Sequence, residues 1–415
     1  MTRLRVKHFG PIRDGVKNDG WIEFKRVTVF VGNQGSGKST LAKLYSTFSW
    51  IEKALVRGDH DKAWFEEEDR LSKTFLVYHR LENYITAEQE SKTKIEYEGE
   101  AYTIKYSHRR MHIAPSSSNV YQLPQIMYVP AERNFISYVS QPQELRLSSA
   151  SLKEFLVEFN YAKENMIGHL SLPINNAKLD YDHFTDTLSV QEADYKLNLA
   201  DASSGFQSAV PLHLVSQYLA NRVKERIEDR QESMSIKEIE RFRKEAENIF
   251  SDALTTEQKR VLISTLSSRF NKTAFINIVE ELEQNLYPES QWKVLQSLLQ
   301  FNSLVNNNRL ILTTHSPYVV NYLTIAVQGK HIQDNITRKN RLPDLLPKLA
   351  KIIPLHALID STELTIYQAN EKTGSIEKLP NIDGIPSDNN FLNLSLSEGN
   401  DLFDRLLDIQ EELEA

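Results

Sequence analysis

The residues Gly32-Asn33-Gln34-Gly35-Ser36-Gly37-Lys38-Ser39 have the types and spacing of a phosphate-binding loop. Glycines let successive backbone N–H groups converge on a phosphate, and the helix that must follow adds its partial positive charge. Lys38 has the reach to meet β- and γ-phosphates, and the Ser39 hydroxyl suits Mg²⁺. Asn33, Gly35, Ser36, Gly37 and Thr40 complete the expected phosphate cradle. A second cluster is Glu280-Glu281, at the end of the apolar run 274–281. Beside a phosphate loop, one acid holds the metal and its neighbour polarises the attacking water; we assign Glu280 to the first role and Glu281 to the second. Otherwise the two acids simply end a strand in solvent, and Glu283 caps the turn. His315 follows another apolar run, 309–314, and is placed to contact the γ-phosphate or orient the water. Ser203-Ser204-Gly205-Phe206-Gln207 precedes an apolar-periodic stretch with Val210, Leu214 and Leu219. Ser204 and Gly205 either present donors to a phosphate or form an ordinary helix cap.

These residues need a scaffold, and the pattern around them supplies one. The run Val27–Val31 predicts a strand before the loop, and 40–57 a helix after it. Leu4, Val6 and Phe9 predict a first strand. Alternation over 92–106 around Glu98-Gly99-Glu100 predicts a hairpin. Residues 125–130 read as a buried strand stopped by Pro130. Strand, helix, strand across 274–316 predicts parallel pairing. The expected units are 1–57, the first half of a head with the phosphate loop; 58–143, an antiparallel lobe and return strand; and 144–200, a helical insertion. Then come 201–218, the helix behind Ser204; 219–260, a charged helical insertion; 261–330, the second half of the head; and 331–415, an extension.

Composition bounds the function. The 415 residues are 40% hydrophobic and 25% charged, with a net charge of -7, so no global basic surface invites nucleic acid. There is no cysteine, which removes disulfides, thiolate metal sites and cysteine nucleophiles. No apolar run reaches the length of a membrane span, and Met1-Thr2-Arg3-Leu4-Arg5-Val6 lacks a signal-peptide core. A cytoplasmic protein without membrane contact is expected.

Taken in order, GxxxxGKS, S-S-G-F-Q, a strand ending in Glu-Glu and a strand ending in Thr-His-Ser resemble the ABC-type ATPase head. The branch it is most similar to contains the RecF, SMC and OLD-type proteins, whose start is matched by Val6-Lys7-His8-Phe9-Gly10-Pro11-Ile12. Leu282 stands where that branch commonly has proline. Ser203 and Phe206 depart from the usual leucine-serine-glycine-glycine-glutamine signature. The resemblance implies an α/β P-loop NTPase fold of ABC-ATPase type, with a mixed central sheet, an antiparallel lobe and helical insertions. It implies ATP and Mg²⁺ as cofactors. It also implies a homodimer, or higher homo-oligomer, in which Ser204, Gly205 and Gln207 of one head complete the site of Lys38, Glu281 and His315 in the other. A glutamine that links Mg²⁺ to the inserted region is expected among Gln122, Gln125 and Gln141, and Arg133 either approaches the nucleotide or the subunit contact or makes a surface salt bridge.

The stretch between Ser39 and Ser204 is too short for the long coiled coil of chromosome and repair members. The residues after His315 offer no spaced aspartate pair of a Toprim nuclease. The expectation is therefore an ATP-driven switch that controls a separate effector, a toxin or nuclease. Its general plan resembles the ATPase subunits of the Septu and PARIS anti-phage systems. Regions 58–125, 144–183 and 219–259 are candidate partner surfaces. The alternative is a RecF-like DNA-binding repair ATPase, for which Lys224 with Arg226 and Arg109 with Arg110 are the local basic candidates.

Overall fold

The computed structural model describes residues 2–86, 88–116, 121–138, 149–229, 244, 272–339 and 344–414. The chain opens with β1 (Thr2–Lys7), β2 (Gly15–Val16), β3 (Ile22–Phe24) and β4 (Val27–Gly32). After the Lys38–Arg57 helix come β5 (Lys94–Glu98), β6 (Tyr102–Ser107), β7 (Arg110–Pro115) and β8 (Pro124–Val129). The short strands β9 (Leu170–Ser171), β10 (Lys178–Asp182), β11 (Thr187–Gln191) and β12 (Lys196–Asn198) follow. The last group is β13 (Ala274–Glu280), β14 (Arg309–Thr314), β15 (Leu364–Ala369) and β16 (Ser375–Lys378).

The central sheet has the order β2-β16-β15-β4-β14-β13-β8. The five strands from β15 to β8 run parallel, whereas β16 is antiparallel to β15, so the sheet is mixed as expected. Its strands read as continuous apolar runs because both faces are covered. Val27, Val29 and Val31 of β4 join a core with the helices Ser204–Asp229, Pro288–Ser303 and Pro317–Lys339, while Phe30 joins the opposite core. β14 divides in the same way, Leu310 and Leu312 against Ile311. The period-2 alternation of a strand thus feeds two cores at once, each buried side chain contributing about 1.5–3 kcal/mol.

The Lys38–Arg57 helix lies between the central sheet and a five-stranded antiparallel sheet of order β3-β1-β5-β6-β7. It is therefore buried almost all round, including Leu41, Leu44, Tyr45, Phe48 and Ile51. Gly58, at φ +68, ends it by returning its N–H to Ala54 and Leu55. Glu52 on this helix is also buried and accepts hydrogen bonds from the Tyr97 hydroxyl at 2.8 Å and the Ala101 N–H at 2.7 Å. That contact fixes the β5–β6 hairpin to the helix.

Five expectations are corrected. Phe9 lies outside β1 and bridges to Ile12 instead. The antiparallel lobe does not begin at residue 58, since β1 and β3 form part of its sheet. Among the described residues of 144–200 the α-helix covers only Ala150–Glu164; β9 to β12 make a four-stranded antiparallel sheet whose strands are too short and too exposed to give a clear alternation. Residues 331–415 are no appendage: β15 sits beside β4 in the middle of the central sheet. The helix at 204 also runs through the expected boundary at 218 to Asp229, and the rest of the 219–260 unit falls outside the described residues apart from Lys244.

Candidate nucleotide site

The parallel strands deliver the predicted residues to one edge of the sheet. β4 ends at Gly32, β14 at Thr314 and β13 at Glu280, and these three are neighbours. Carboxyl ends of adjacent parallel strands are where open α/β sheets bind ligands.

The loop conforms to the geometry its glycines allow. Gly32, Gly35 and Gly37 have φ of +145°, +72° and +100°. At Gly32 a Cβ would lie 2.3 Å from the Ala369 carbonyl oxygen, so β15 leaves room for glycine alone. The Ser36 hydroxyl donates to the Asn33 carbonyl at 2.7 Å, and the Asn33 side-chain amide donates to Glu371 at 3.3 Å. Gly35 is exposed, Ser39 half-buried, and Ser36, Gly37 and Thr40 are buried.

Lys38 donates to the carbonyls of Gly32 at 2.9 Å and Asn33 at 2.7 Å, and its Nζ stands 3.3 Å from His315 Nδ1. The other ring nitrogen, Nε2, is 3.3 Å from Glu281 Oε1. An ammonium can only donate, so Nδ1 accepts and the proton resides on Nε2, pointed at Glu281. Burial lowers the Lys38 pKa to about 8, against the opposing pull of Glu281 and Glu283. The His315 hydrogen bond holds the Glu281 carboxyl below its ordinary range.

Glu280 and Glu281 behave differently although adjacent. Glu280 is the last residue of β13 and is only 4% exposed; its Oε2 accepts from the Ala131 N–H at 3.2 Å, and Lys43 lies 3.9 Å from Oε1. Glu281 leaves the strand at φ +44, a left-handed conformation costly for a residue with a Cβ. Its N–H donates to the Thr313 carbonyl at 2.9 Å. Arg133 holds the kink from the other side, donating to the carbonyls of Glu280 at 2.6 Å, Glu281 at 2.7 Å and Ser208 at 3.1 Å. Its guanidinium is fully buried, with a pKa pulled down to about 10 by that burial. The surface salt bridge considered for Arg133 is thus ruled out; it ties β13 to the Ser204–Asp229 helix. Glu283 accepts the His315 backbone N–H at 2.6 Å and so fixes the histidine rather than only a turn.

The signature segment stands apart. Ser204 is exposed at the first turn of its helix, while Phe206, in the place of the usual second glycine, packs into the core and leaves Ser204 at the surface. A Cβ on Gly205 would meet the Asn285 carbonyl at 3.2 Å. The surrounding groove, about 500 Å³, includes Asn175, Ser203, Ser204, Tyr287 and Lys293 and none of the phosphate-loop residues. Gln207 corrects the expectation of a nucleotide contact: it is 2% exposed, and its side-chain amide donates to the Ala200 carbonyl at 2.7 Å. Gln122 and Gln125 are removed as metal-linking glutamines. Both lie at the amino end of β8, where Gln122 accepts from Asn307 beside the start of β14, at the opposite sheet edge from Ser39. Gln141 falls outside the described residues.

Sequence reasoning missed Lys43, one helical turn beyond Ser39, and Glu371, which reaches Asn33 across 338 positions. The i+4 spacing of Lys43 was a usable signal; Glu371 had none. Among the described residues no group of three His, Cys, Asp or Glu is poised as a metal site, and no helix is long and apolar enough to cross a membrane.

A glycine cradle, a lysine, and a carboxylate pair at the end of β13 define a P-loop NTPase with the ABC-ATPase-like arrangement of a mixed sheet and insertions. Residues 1–320 match the family described as "AAA ATPase domain", and the chain belongs to that family. It is an ATPase-class, ATP-binding protein. Solved structures similar to it include an SMC head domain from Thermotoga maritima, at 12% identity and TM-score 0.37, covering 92% of this chain and 98% of that one. Another is an Smc head domain with an extended coiled coil bound to the C-terminal domain of ScpA, from Pyrococcus furiosus, at 11% identity, TM-score 0.35 and full coverage of both chains. A nucleotide-free ATP-binding cassette from an ABC transporter is 14% identical, with TM-score 0.24, covering 92% of this chain and 93% of that one. No curated protein matches the chain.

Proposed function

We propose that the protein is an ATP-operated switch whose heads pair around ATP and whose paired state controls a separate effector protein, a toxin or nuclease, in defence against phage. The observation that carries the pairing is the division of the site. Lys38, His315 and Glu281 form a connected set at one sheet edge, whereas Ser204 faces solvent in a groove that none of them lines. A second head, in the opposite orientation, would bring Ser204 and Gly205 to the outer face of a triphosphate held by the first.

Each residue then has a task. The 33–39 backbone and Lys38 bind the phosphates. Ser39 and Glu280 offer the hard oxygen donors that suit Mg²⁺, which commonly takes one or two protein ligands beside phosphate and water. The metal, when bound, neutralises phosphate charge. Glu281 accepts a proton from, or orients, the attacking water, and His315 holds that carboxylate in line through Nε2–H. Arg133 and Glu283 are positioning residues.

The basic pairs that would favour the DNA-repair reading are occupied. Arg109 engages Asp69, Glu68 and Glu90, Arg110 engages Glu68, and Lys224 lies 3.6 Å from Glu228.

The test is the mass of Glu281→Gln in solution with Mg²⁺ and ATP. A nucleotide-dependent doubling is expected, and its loss on adding Ser204→Arg. A monomer under saturating ATP would remove the pairing, and a parent turnover rate in Glu281→Gln would move the base elsewhere.

A further inference from the structure

A cavity of about 350 Å³ lies away from the phosphate loop, between the Lys38–Arg57 helix, segment 71–79, β8 and the Ala150–Glu164 helix. Lys38, Ser39, Glu281 and His315 do not line it. Its walls are aromatic: Trp50, Phe75, Tyr78, His79 and Tyr128, with Ile126 beside them.

Three polar side chains on those walls have buried atoms without a hydrogen-bond partner among the described residues, the Tyr128 hydroxyl being one. His79 is 2% exposed, and neither ring nitrogen has a hydrogen-bond partner among the described residues. Thr47, 5% exposed, has a hydroxyl in the same condition. Buried polar groups are satisfied in the great majority of cases, so three unsatisfied ones sharing one cavity point to a ligand. The His79 ring packs 4.5 Å from that of Tyr128, and burial, helped by Lys43, takes its pKa down to about 3. It is therefore neutral and offers one donor and one acceptor.

The surroundings select against charge. Glu154 lies at the rim, held by the Tyr78 hydroxyl, and Glu280 approaches Tyr128 closely enough to help burial raise its phenol. These disfavour an anion. Lys43 beside His79 disfavours a cation. Desolvating either would be costly here. Aromatic walls reward a flat π-system, and the volume is near the lower end for small-molecule sites.

We propose that this cavity is a binding site for a small, uncharged, planar heteroaromatic molecule of one or two fused rings that carries both a hydrogen-bond donor and an acceptor. Benzimidazole has these properties and serves as the probe. Titration calorimetry on the full chain with ATP saturating should show one saturable benzimidazole site. His79→Phe should weaken it about tenfold, as expected for the loss of one or two hydrogen bonds. Thr74→Trp, at the exposed mouth, should abolish it. Cooperative unfolding of each variant confirms its fold, and Thr74→Trp decides the matter if His79→Phe does not fold. No saturable binding, displacement by ATP, or equal affinity in parent and Thr74→Trp overturns the site. Preferential binding of tetramethylammonium overturns the assignment of an uncharged ligand.

Discussion

The phosphate-loop half and the Ser204 half of the chain are built on opposite plans. Around Lys38 the side chains that act together are joined to one another within the chain: the ammonium on two carbonyls and His315, the imidazole on Glu281, the Glu281 carbonyl on Arg133. Around Ser204 only the anchors are fixed, Phe206 and Gln207 facing inward while Ser204 stays exposed. Groups that must act together inside one chain are held by short internal bonds. Groups that meet something outside it are left at the surface on a rigid base.

The sharpest break in this contrast is Arg133→Met. It takes the guanidinium donor from the Glu280 and Glu281 carbonyls and releases the strained Glu281 backbone, so a loss of about 3 kcal/mol is expected in urea unfolding. No such cost attends Ser204→Ala if the Ser204 half is unloaded inside its own chain. Next comes Lys38→Met, expected to weaken MgATP about a hundredfold by calorimetry, in line with losing charge-assisted bonds to phosphate. Ser204→Ala should leave ATP binding by a single head unchanged and slow turnover about tenfold, because one donor is lost from the paired site. A fall in single-head affinity would mean that Ser204 serves its own loop.

The smallest effect is a pH dependence. Lys38 has a folded pKa of about 8 against an ordinary 10.5. Between these values the unfolded chain binds more protons, so stability rises with pH through that window and is at its lower level below pH 8. Lys38→Met should therefore flatten this rise with pH. A steeper rise in the variant would contradict the assignment.

Much of the site was legible because its chemistry is local. The loop needs glycines at fixed offsets, and the parallel strands announce themselves as apolar runs ending in Glu280 and Thr314. Gln207 misled because a signature pattern does not say which side of a helix faces the core. Region 144–200 misled because strands of two to five residues leave little periodicity to read. The place of β15 in the central sheet was hidden because strand order is set by packing, not by chain order.

The sequence by itself determined the phosphate loop, the acid pair and the histidine, since residue type and short spacing suffice for a turn that binds phosphate. Tertiary structure alone decided that Glu280 is buried while Glu281 turns to His315, and that Arg133 holds the kink between them. It also set Glu371 beside Asn33 and aligned β4, β14 and β13 at one edge. The physical reason is the same throughout: a backbone carbonyl over a hundred residues away leaves no mark on local composition, yet burying a guanidinium obliges the fold to find one.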